Sequence, residues 1–396
     1  MKKTIAAVFM AGAIAPVFAE ESKALMQGFP PTQEMQVNRD NFMLPPYNRW
    51  AFQHIRELQP TREVSRGSAA TAELEEAPLE LADRSYKVSG DRQLSLDKWL
   101  EEAATDSFLV LHKGKIVYER YLNGQRESTQ HQMFSATKSF IGTLALMMID
   151  EGLIDPSRVM QSYVPELKGS AFGDATVQQV LDMTTSIEFS EIYTDPEADI
   201  WAYGHVFGLS DVADASKRVD SIYDYLPTLG KMKKFKHGDA FHYVTPNTDA
   251  MGWVLSRVSG QSISELLATR LLQPLGAQRD AYMWLDKSGT EMAGGGLNIT
   301  ARDAARFGQM ILQKGQYNGR QVVPAKIAQR ILTPGNPDTF TRLYDDPWYT
   351  DVGHSYHDMW WSFRNDHNAV SAIGVHGQFI YIDPIAEMVI VKPCSV

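Results

Sequence analysis

Ser135-Ala136-Thr137-Lys138, running into Ser139-Phe140-Ile141-Gly142-Thr143-Leu144-Ala145-Leu146-Met147-Met148-Ile149, carries the strongest signal in the chain. The run after the tetrad has the length and apolar composition of a buried helix, which puts the tetrad in its first turn. A serine and a lysine three positions apart then share one face, within reach of each other. Removal from water lowers a lysine's proton affinity, and only a neutral amine can accept a proton from a serine hydroxyl. Backbone N–H groups at the helix N-terminus face the place where an oxyanion would form. These residues suggest a nucleophile, its base and part of an oxyanion hole. Spacing alone does not establish this, because Ser95-Leu96-Asp97-Lys98 repeats it. That serine reads as the N-cap of an exposed amphipathic helix through Trp99-Leu100-Glu101-Glu102, with Lys98 in solvent.

The N-terminus reads as a bacterial secretory signal over residues 1–19. Lys2 and Lys3 precede an apolar centre from Ile5 to Val17, and Val17-Phe18-Ala19 offers a cleavage site. The apolar stretch is short for a membrane span, and Glu20 rather than a cysteine argues against a lipid anchor. The expectation is a periplasmic or secreted protein with no stable membrane insertion after cleavage. The 396 residues carry 38 Lys plus Arg against 48 Asp plus Glu, a net charge of −10. Without Lys2 and Lys3 the balance is 36 against 48, or −12. Such a surface disfavours nucleic acid as a partner. The single cysteine, Cys394, allows no internal disulfide.

Residues 20–90 are polar and interrupted by proline (Phe29-Pro30-Pro31, Leu44-Pro45-Pro46, Gln59-Pro60), and read as an extended arm packed on a domain. Within the arm, residues 69–77 read as an exposed linker. Phe108-Leu109-Val110-Leu111 and Ile116 to Tyr121 flank His112-Lys113-Gly114-Lys115 as a hairpin. Helical patterns dominate from Val177 to about Leu272. A capped helix starts at Thr300, and strand-like runs close the chain at Ala372–Val375, Phe379–Ile382 and Met388–Val391. Strands at both ends around a helical middle imply an α+β fold. The expected units are a sheet domain, an antiparallel sheet flanked by helices, from residues 91–170 and 290–396, and an inserted helical domain over 171–289.

A serine–lysine site needs a second proton-transfer group. Tyr243, in Phe241-His242-Tyr243-Val244-Thr245-Pro246-Asn247, is the candidate, either as phenolate or sharing a proton with the lysine. Ala372-Ile373-Gly374-Val375-His376-Gly377-Gln378 is the candidate edge strand for a second oxyanion donor, since its glycines let a substrate approach the backbone. His376 is a candidate to orient a substrate, against the plainer reading of a histidine simply hydrogen-bonded in a core strand. There is no G-x-S-x-G elbow and no H-E-x-x-H. His354, His357, Asp358 and His367 have ligand chemistry, but Tyr356, Trp360 and Trp361 among them favour an aromatic wall over a metal site. Lys287-Ser288-Gly289 imitates a K-T-G motif but precedes a glycine cluster and reads as a turn.

Taken in order, these pieces resemble the serine β-lactamase-related superfamily of class C β-lactamases, D-Ala-D-Ala carboxypeptidases and esterases, and most closely its 6-aminohexanoate-dimer hydrolase group. The motifs are Ser135-Ala136-Thr137-Lys138-Ser139-Phe140, Leu181-Asp182-Met183-Thr184, Tyr193-Thr194-Asp195-Pro196, Asn247-Thr248-Asp249-Ala250-Met251-Gly252-Trp253, Thr300-Ala301-Arg302-Asp303 and Gly374-Val375-His376-Gly377-Gln378. The resemblance implies a β-lactamase/transpeptidase-like fold. It makes Ser135 the acylated nucleophile, Lys138 its base partner and Tyr243 the tyrosine of a Y-x-N motif. The Ser135 and Val375 amides become the oxyanion hole, and Tyr193 a tyrosine closing over substrate. Thr245 stands where other members have asparagine, which makes Asn247 the substitute contact for a substrate amide. Gly204 and Gly294 stand where members most active on the nylon dimer carry polar side chains, which implies weak activity on that dimer. The family usually continues past the last strand into a long C-terminal helix over the sheet, a feature from which this sequence departs at Pro393-Cys394-Ser395-Val396.

The expected activity is hydrolysis of a small-molecule carboxylic ester or short amide without metal or organic cofactor. A cell-envelope D,D-peptidase or β-lactamase, and a non-catalytic binding homologue, are the alternatives. Oligomeric state and acyl-group selectivity are not legible.

Overall fold

The computed structural model describes residues 25–89, 92–209, 218–344, 349, 354–363 and 365–396, so the expected signal peptide lies outside the described residues. The strands that organise the fold are β1 (Thr61–Val64), β2 (Ser107–His112), β3 (Lys115–Tyr121), β4 (His131–Gln132), β5 (Ala281–Trp284), β6 (Leu297–Ile299), β7 (His354–His357), β8 (Trp360–Phe363), β9 (Val370–Gly374), β10 (Gln378–Asp383) and β11 (Met388–Lys392). The helices that matter here are α1 (Leu96–Glu102), α2 (Thr137–Asp150), α3 (Val177–Leu181), α4 (Asp199–Val206), α5 (Pro246–Ser259), α6 (Ala301–Leu312) and α7 (Ala325–Ile331).

Seven antiparallel strands form the main sheet in the order β7-β8-β9-β10-β11-β2-β3. The N-terminal hairpin joins the C-terminal strands at β11–β2, where Val389 faces Leu111 and Val391 faces Leu109. This is the α+β sheet built from both ends of the chain that the strand runs imply. Val110 and Phe108 point to the outer face, where they pack with Leu96 and Leu100 of α1. Leu109 and Leu111 point inward to the main core. A strand buried on both faces reads as a continuous apolar run rather than an alternating one.

Helix α2 is buried from Thr137 through Met148, which explains why it is apolar on every side. Phe140 stacks on Phe307 of α6 at 3.8 Å between ring centroids. Helix α6 starts at Thr300, whose hydroxyl accepts the Asp303 N–H at 3.1 Å. It rests directly on the sheet at Gly308, where an added Cβ would lie 2.7 Å from Val389. Helix α5 begins at Pro246, since proline is pre-set for a first helical position. It ends at Gly260 in the left-handed conformation (φ 70).

Three features were not legible. The arm does pack on the domain, burying Phe42, Phe52 and Ile55, but it also supplies β1 to a second sheet ordered β1-β5-β6-β4. Strand β5 thus lies within the segment read as helical, and one continuous core joins all these parts. Residues 69–77 are not an exposed linker. Ala72 and Leu74 are buried, the Arg306 guanidinium donates to the Ala72 carbonyl, and Glu75 and Ala77 exchange backbone bonds with Ile116. Finally, the histidine and aromatic segment at 354–363 is a hairpin, β7–β8, at the sheet edge. Among the described residues no helix is long and apolar enough to cross a membrane.

Candidate active site

Ser135 sits in a short 3-10 turn, Phe134–Ala136, that leads directly into α2. Phe134 holds a left-handed backbone (φ 45), a strained conformation for an aromatic residue just before the candidate nucleophile. The turn is pinned to β6: the Met133 N–H donates to the Leu297 carbonyl at 2.9 Å, and the Leu297 N–H to Thr137 Oγ1 at 3.1 Å.

One helical turn later, Lys138 is 1% exposed. Its ammonium donates to Ser135 Oγ at 2.8 Å, Thr245 Oγ1 at 3.1 Å and the Gly294 carbonyl at 2.7 Å. Burial pushes its pKa down to about 8, against the opposing pull of the Glu191 and Asp249 charges. The look-alike at Ser95 differs in environment. Ser95 caps α1 by accepting the Lys98 N–H at 3.3 Å, and Lys98 lies in solvent beside Glu101.

Tyr243 arrives from the segment before α5. The Lys138 ammonium lies 5.2 Å from its ring centroid, and its hydroxyl hydrogen-bonds the Ser135 side chain. Burial, reinforced by the Glu191 charge, holds its pKa well above the usual tyrosine value. That direction favours the neutral phenol over the phenolate, whereas Lys138 is the group whose proton affinity falls. The ring stacks on Trp361 at 5.5 Å and meets Tyr356 edge-on at 6.0 Å, so the β7–β8 hairpin forms the wall. The hairpin's turn is held by Asp358, which accepts two hydrogen bonds from Arg330 of α7 and one from His357. His367 bonds Asp383 instead, so the four candidate ligands do not converge.

Strand β9 is not the edge strand expected, since it pairs with β8 on one side and β10 on the other, but its end abuts the nucleophile turn. A Cβ on Gly374 would lie 2.3 Å from the Met133 carbonyl, which makes glycine obligatory there. Val375 follows at the strand's end and is half-buried. His376 takes a left-handed backbone (φ 61) and packs its ring on Phe52 and Phe134, with Nδ1 2.5 Å from the Val396 carbonyl. That orientation ties down the chain end and does not suit a substrate contact.

Tyr193 is 43% exposed, but its hydroxyl turns inward and donates to Glu191 at 2.8 Å. Asn247 is fully buried and both its polar atoms are engaged: Oδ1 accepts from Thr185 at 3.0 Å, and Nδ2 contacts Met183 Sδ at 3.1 Å. It is therefore no substitute contact for a substrate amide. Thr245 has the other role: its hydroxyl donates to Glu191 at 2.7 Å and accepts from Lys138.

Sequence reasoning missed Glu191, Asp249 and the Gly294 carbonyl. Glu191 accepts from Tyr193, the Thr245 N–H and the Thr245 hydroxyl, and partial desolvation raises its pKa. Asp249 is fully enclosed. It accepts the Gly294 N–H at 3.0 Å and the Tyr203 hydroxyl at 2.8 Å, and burial pushes its pKa up to about 7. Its place inside the Asn247-Thr248-Asp249-Ala250 motif was the one available signal. Among the described residues no three His, Cys, Asp or Glu side chains are grouped to hold a metal.

A beta-lactamase family model matches residues 96–392. The chain is 37% identical over 362 residues to the 6-aminohexanoate-dimer hydrolase of Paenarthrobacter ureafaciens, covering 90% of this chain and 87% of that protein. A solved Bacillus anthracis protein bearing a provisional 6-aminohexanoate-dimer hydrolase name superposes with a TM-score of 0.83 at 32% identity, covering 92% of each chain. A family VIII carboxylesterase shares the fold at 19% identity and TM-score 0.53, over 73% of this chain and 86% of its own. The chain belongs to the beta-lactamase family.

Proposed function

We propose that this protein is an exported serine hydrolase that cleaves carboxylic esters or short amides through an acyl-enzyme, with Ser135, Lys138 and Tyr243 as its catalytic residues. The observation that carries the reading is the 2.8 Å contact between Ser135 Oγ and a lysine ammonium that is 1% exposed, with its pKa lowered to about 8. The opposite displacements of Lys138 and Tyr243 divide the roles of base and acid between them.

In its neutral form Lys138 takes the Ser135 proton as Oγ attacks the substrate carbonyl carbon. Negative charge develops on the carbonyl oxygen, which the Ser135 and Val375 amides receive. Tyr243 gives its proton to the leaving alkoxide or amine, and the Lys138 ammonium returns one to the Tyr243 oxygen. Water then attacks the acyl carbon, the same groups take its proton and return one to Ser135 Oγ as the acyl–Oγ bond breaks, and the acid leaves. Tyr193, at the open side of the cleft, exchanges its bond to Glu191 for one to substrate.

A panel of p-nitrophenyl esters, penicillins and aminohexanoate oligomers, run on wild type and Ser135→Ala, tests this. Turnover of short aryl esters that disappears in Ser135→Ala is expected, with weak activity on the aminohexanoate dimer. Stable acylation by penicillin without ester turnover would replace the reading with a D,D-peptidase type. A well-folded protein that turns over nothing would replace it with a binding role.

A further inference from the structure

Among the described residues Lys138 touches no carboxylate directly, yet one is fixed behind it. Asp249, on the buried face of α5, accepts the Gly294 N–H at 3.0 Å, and the carbonyl of the same residue accepts the Lys138 ammonium at 2.7 Å. Tyr203 of α4 holds the other carboxylate oxygen at 2.8 Å. No slack exists at this junction. A Cβ on Gly294 would lie 2.7 Å from Asp249 Oδ2, 2.7 Å from Thr245 Cγ2 and 2.8 Å from the Tyr203 hydroxyl. Asp249 itself is 2% exposed, so its charge acts on Lys138 through protein rather than water.

We propose that Asp249 is a positioning residue for the reaction: through Gly294 it aims the carbonyl that holds Lys138, and its negative charge biases Lys138 toward the protonated form. Asp249 thereby sets the pH at which the enzyme becomes active. This inference rests on the proposed roles of Ser135 and Lys138. The charged and titratable groups facing Lys138 are Glu191 from the cleft loop, to which Tyr193 is bonded, Tyr243 before α5, and Asp249 within it. Asp249 is faced in turn by Tyr203 of α4, by Tyr223 and by Lys138. Glu191 lies partly in solvent and is open to displacement by substrate, whereas Asp249 is not.

The test is the pH profile of kcat/KM for an uncharged p-nitrophenyl ester in wild type and Asp249→Asn. The asparagine keeps an acceptor for Gly294 or Tyr203 and removes the charge. The acid limb should move to lower pH by on the order of one unit, with KM little changed. A uniform drop in kcat with the limb in place would mean that Asp249 only supports the fold, and would overturn the proposal. Should Asp249→Asn fail to fold, Tyr203→Phe keeps the carboxylate but removes its hydroxyl donor. Asp249 then holds its own proton to higher pH, and the limb should move the same way by less; an unmoved limb overturns the proposal. Ser135→Ala separates the two levels. Activity retained in it defeats the hydrolase reading itself, whereas its loss together with an unmoved Asp249→Asn profile defeats this inference alone.

Discussion

Lys138→Met should cost the protein its activity and return some stability. The folded-state pKa of Lys138 is displaced from 10.5 to about 8 by burial. At roughly 1.4 kcal/mol per unit, that is about 3 kcal/mol of penalty for holding the charged form inside. Between pH 8 and 10.5 the unfolded chain binds more protons at this residue than the folded one, so wild-type stability should rise with pH across that window. Methionine fills the same channel without a charge. It leaves the Gly294 carbonyl unpaired, while Thr245 keeps Glu191 and Ser135 keeps Tyr243. One unpaired buried acceptor costs about 1–3 kcal/mol, so the net gain at pH 7 should be small, about 1 kcal/mol, and should vanish by pH 10. Denaturant unfolding of both proteins at pH 7 and pH 10 measures this. Esterase rates should fall at least a hundredfold in the variant. A wild-type stability that is flat from pH 8 to 10, or a variant destabilised equally at both pH values, would refute the argument. In wild type, activity should climb about tenfold per pH unit below 8 and level off above it. A rise centred near pH 6 would point to another base.

Gly374→Ala should force the Met133 carbonyl and β9 apart, since its Cβ would sit 2.3 Å from that oxygen. Because the displaced strand end carries Val375, kcat in a steady-state esterase assay should fall by about a hundredfold or more, with KM affected less. Gly142→Ala would gain about 1 kcal/mol in helix propensity. It would also press a methyl to 2.3 Å from the Asp358 carbonyl, so thermal unfolding should show a net loss of about 1–3 kcal/mol. Asn247→Ala should lower stability by about 1–3 kcal/mol without a selective change in KM, because the amide is spent on Thr185 and Met183. A selective KM increase in that variant would restore Asn247 as a substrate contact.

The parts of the fold legible in the sequence are those whose signal is local. The β2–β3 hairpin, the Thr300 cap and the uniformly apolar α2 each follow from a few neighbouring residues. What escaped depends on partners distant in sequence. Thr61–Val64 is a polar tetrapeptide that becomes a strand because Ala281–Trp284 lies beside it. Leu74 looks like part of a linker, but it is buried in a segment that bridges to the edge of β3 at Glu76 and Ile116. The candidate site divides in the same way. Ser135 and Lys138 are close in sequence, so their spacing could be read. Lys138 and Gly294 are 156 positions apart, and their contact exists only after folding. Asn247 does not take its expected part because helix geometry, not motif position, decides which side chain faces the cleft. With the helix beginning at Pro246, Asn247 turns into the core, and Thr245, just ahead of it, stays beside Lys138.

Incubation with an active-site phosphonate ester, followed by peptide mapping by mass spectrometry, tests the central claim most directly. One equivalent of label on Ser135 is predicted, absent from Ser135→Ala and formed at least a hundredfold more slowly in Lys138→Met. Label on another residue, or ester turnover that persists in Ser135→Ala, would contradict it.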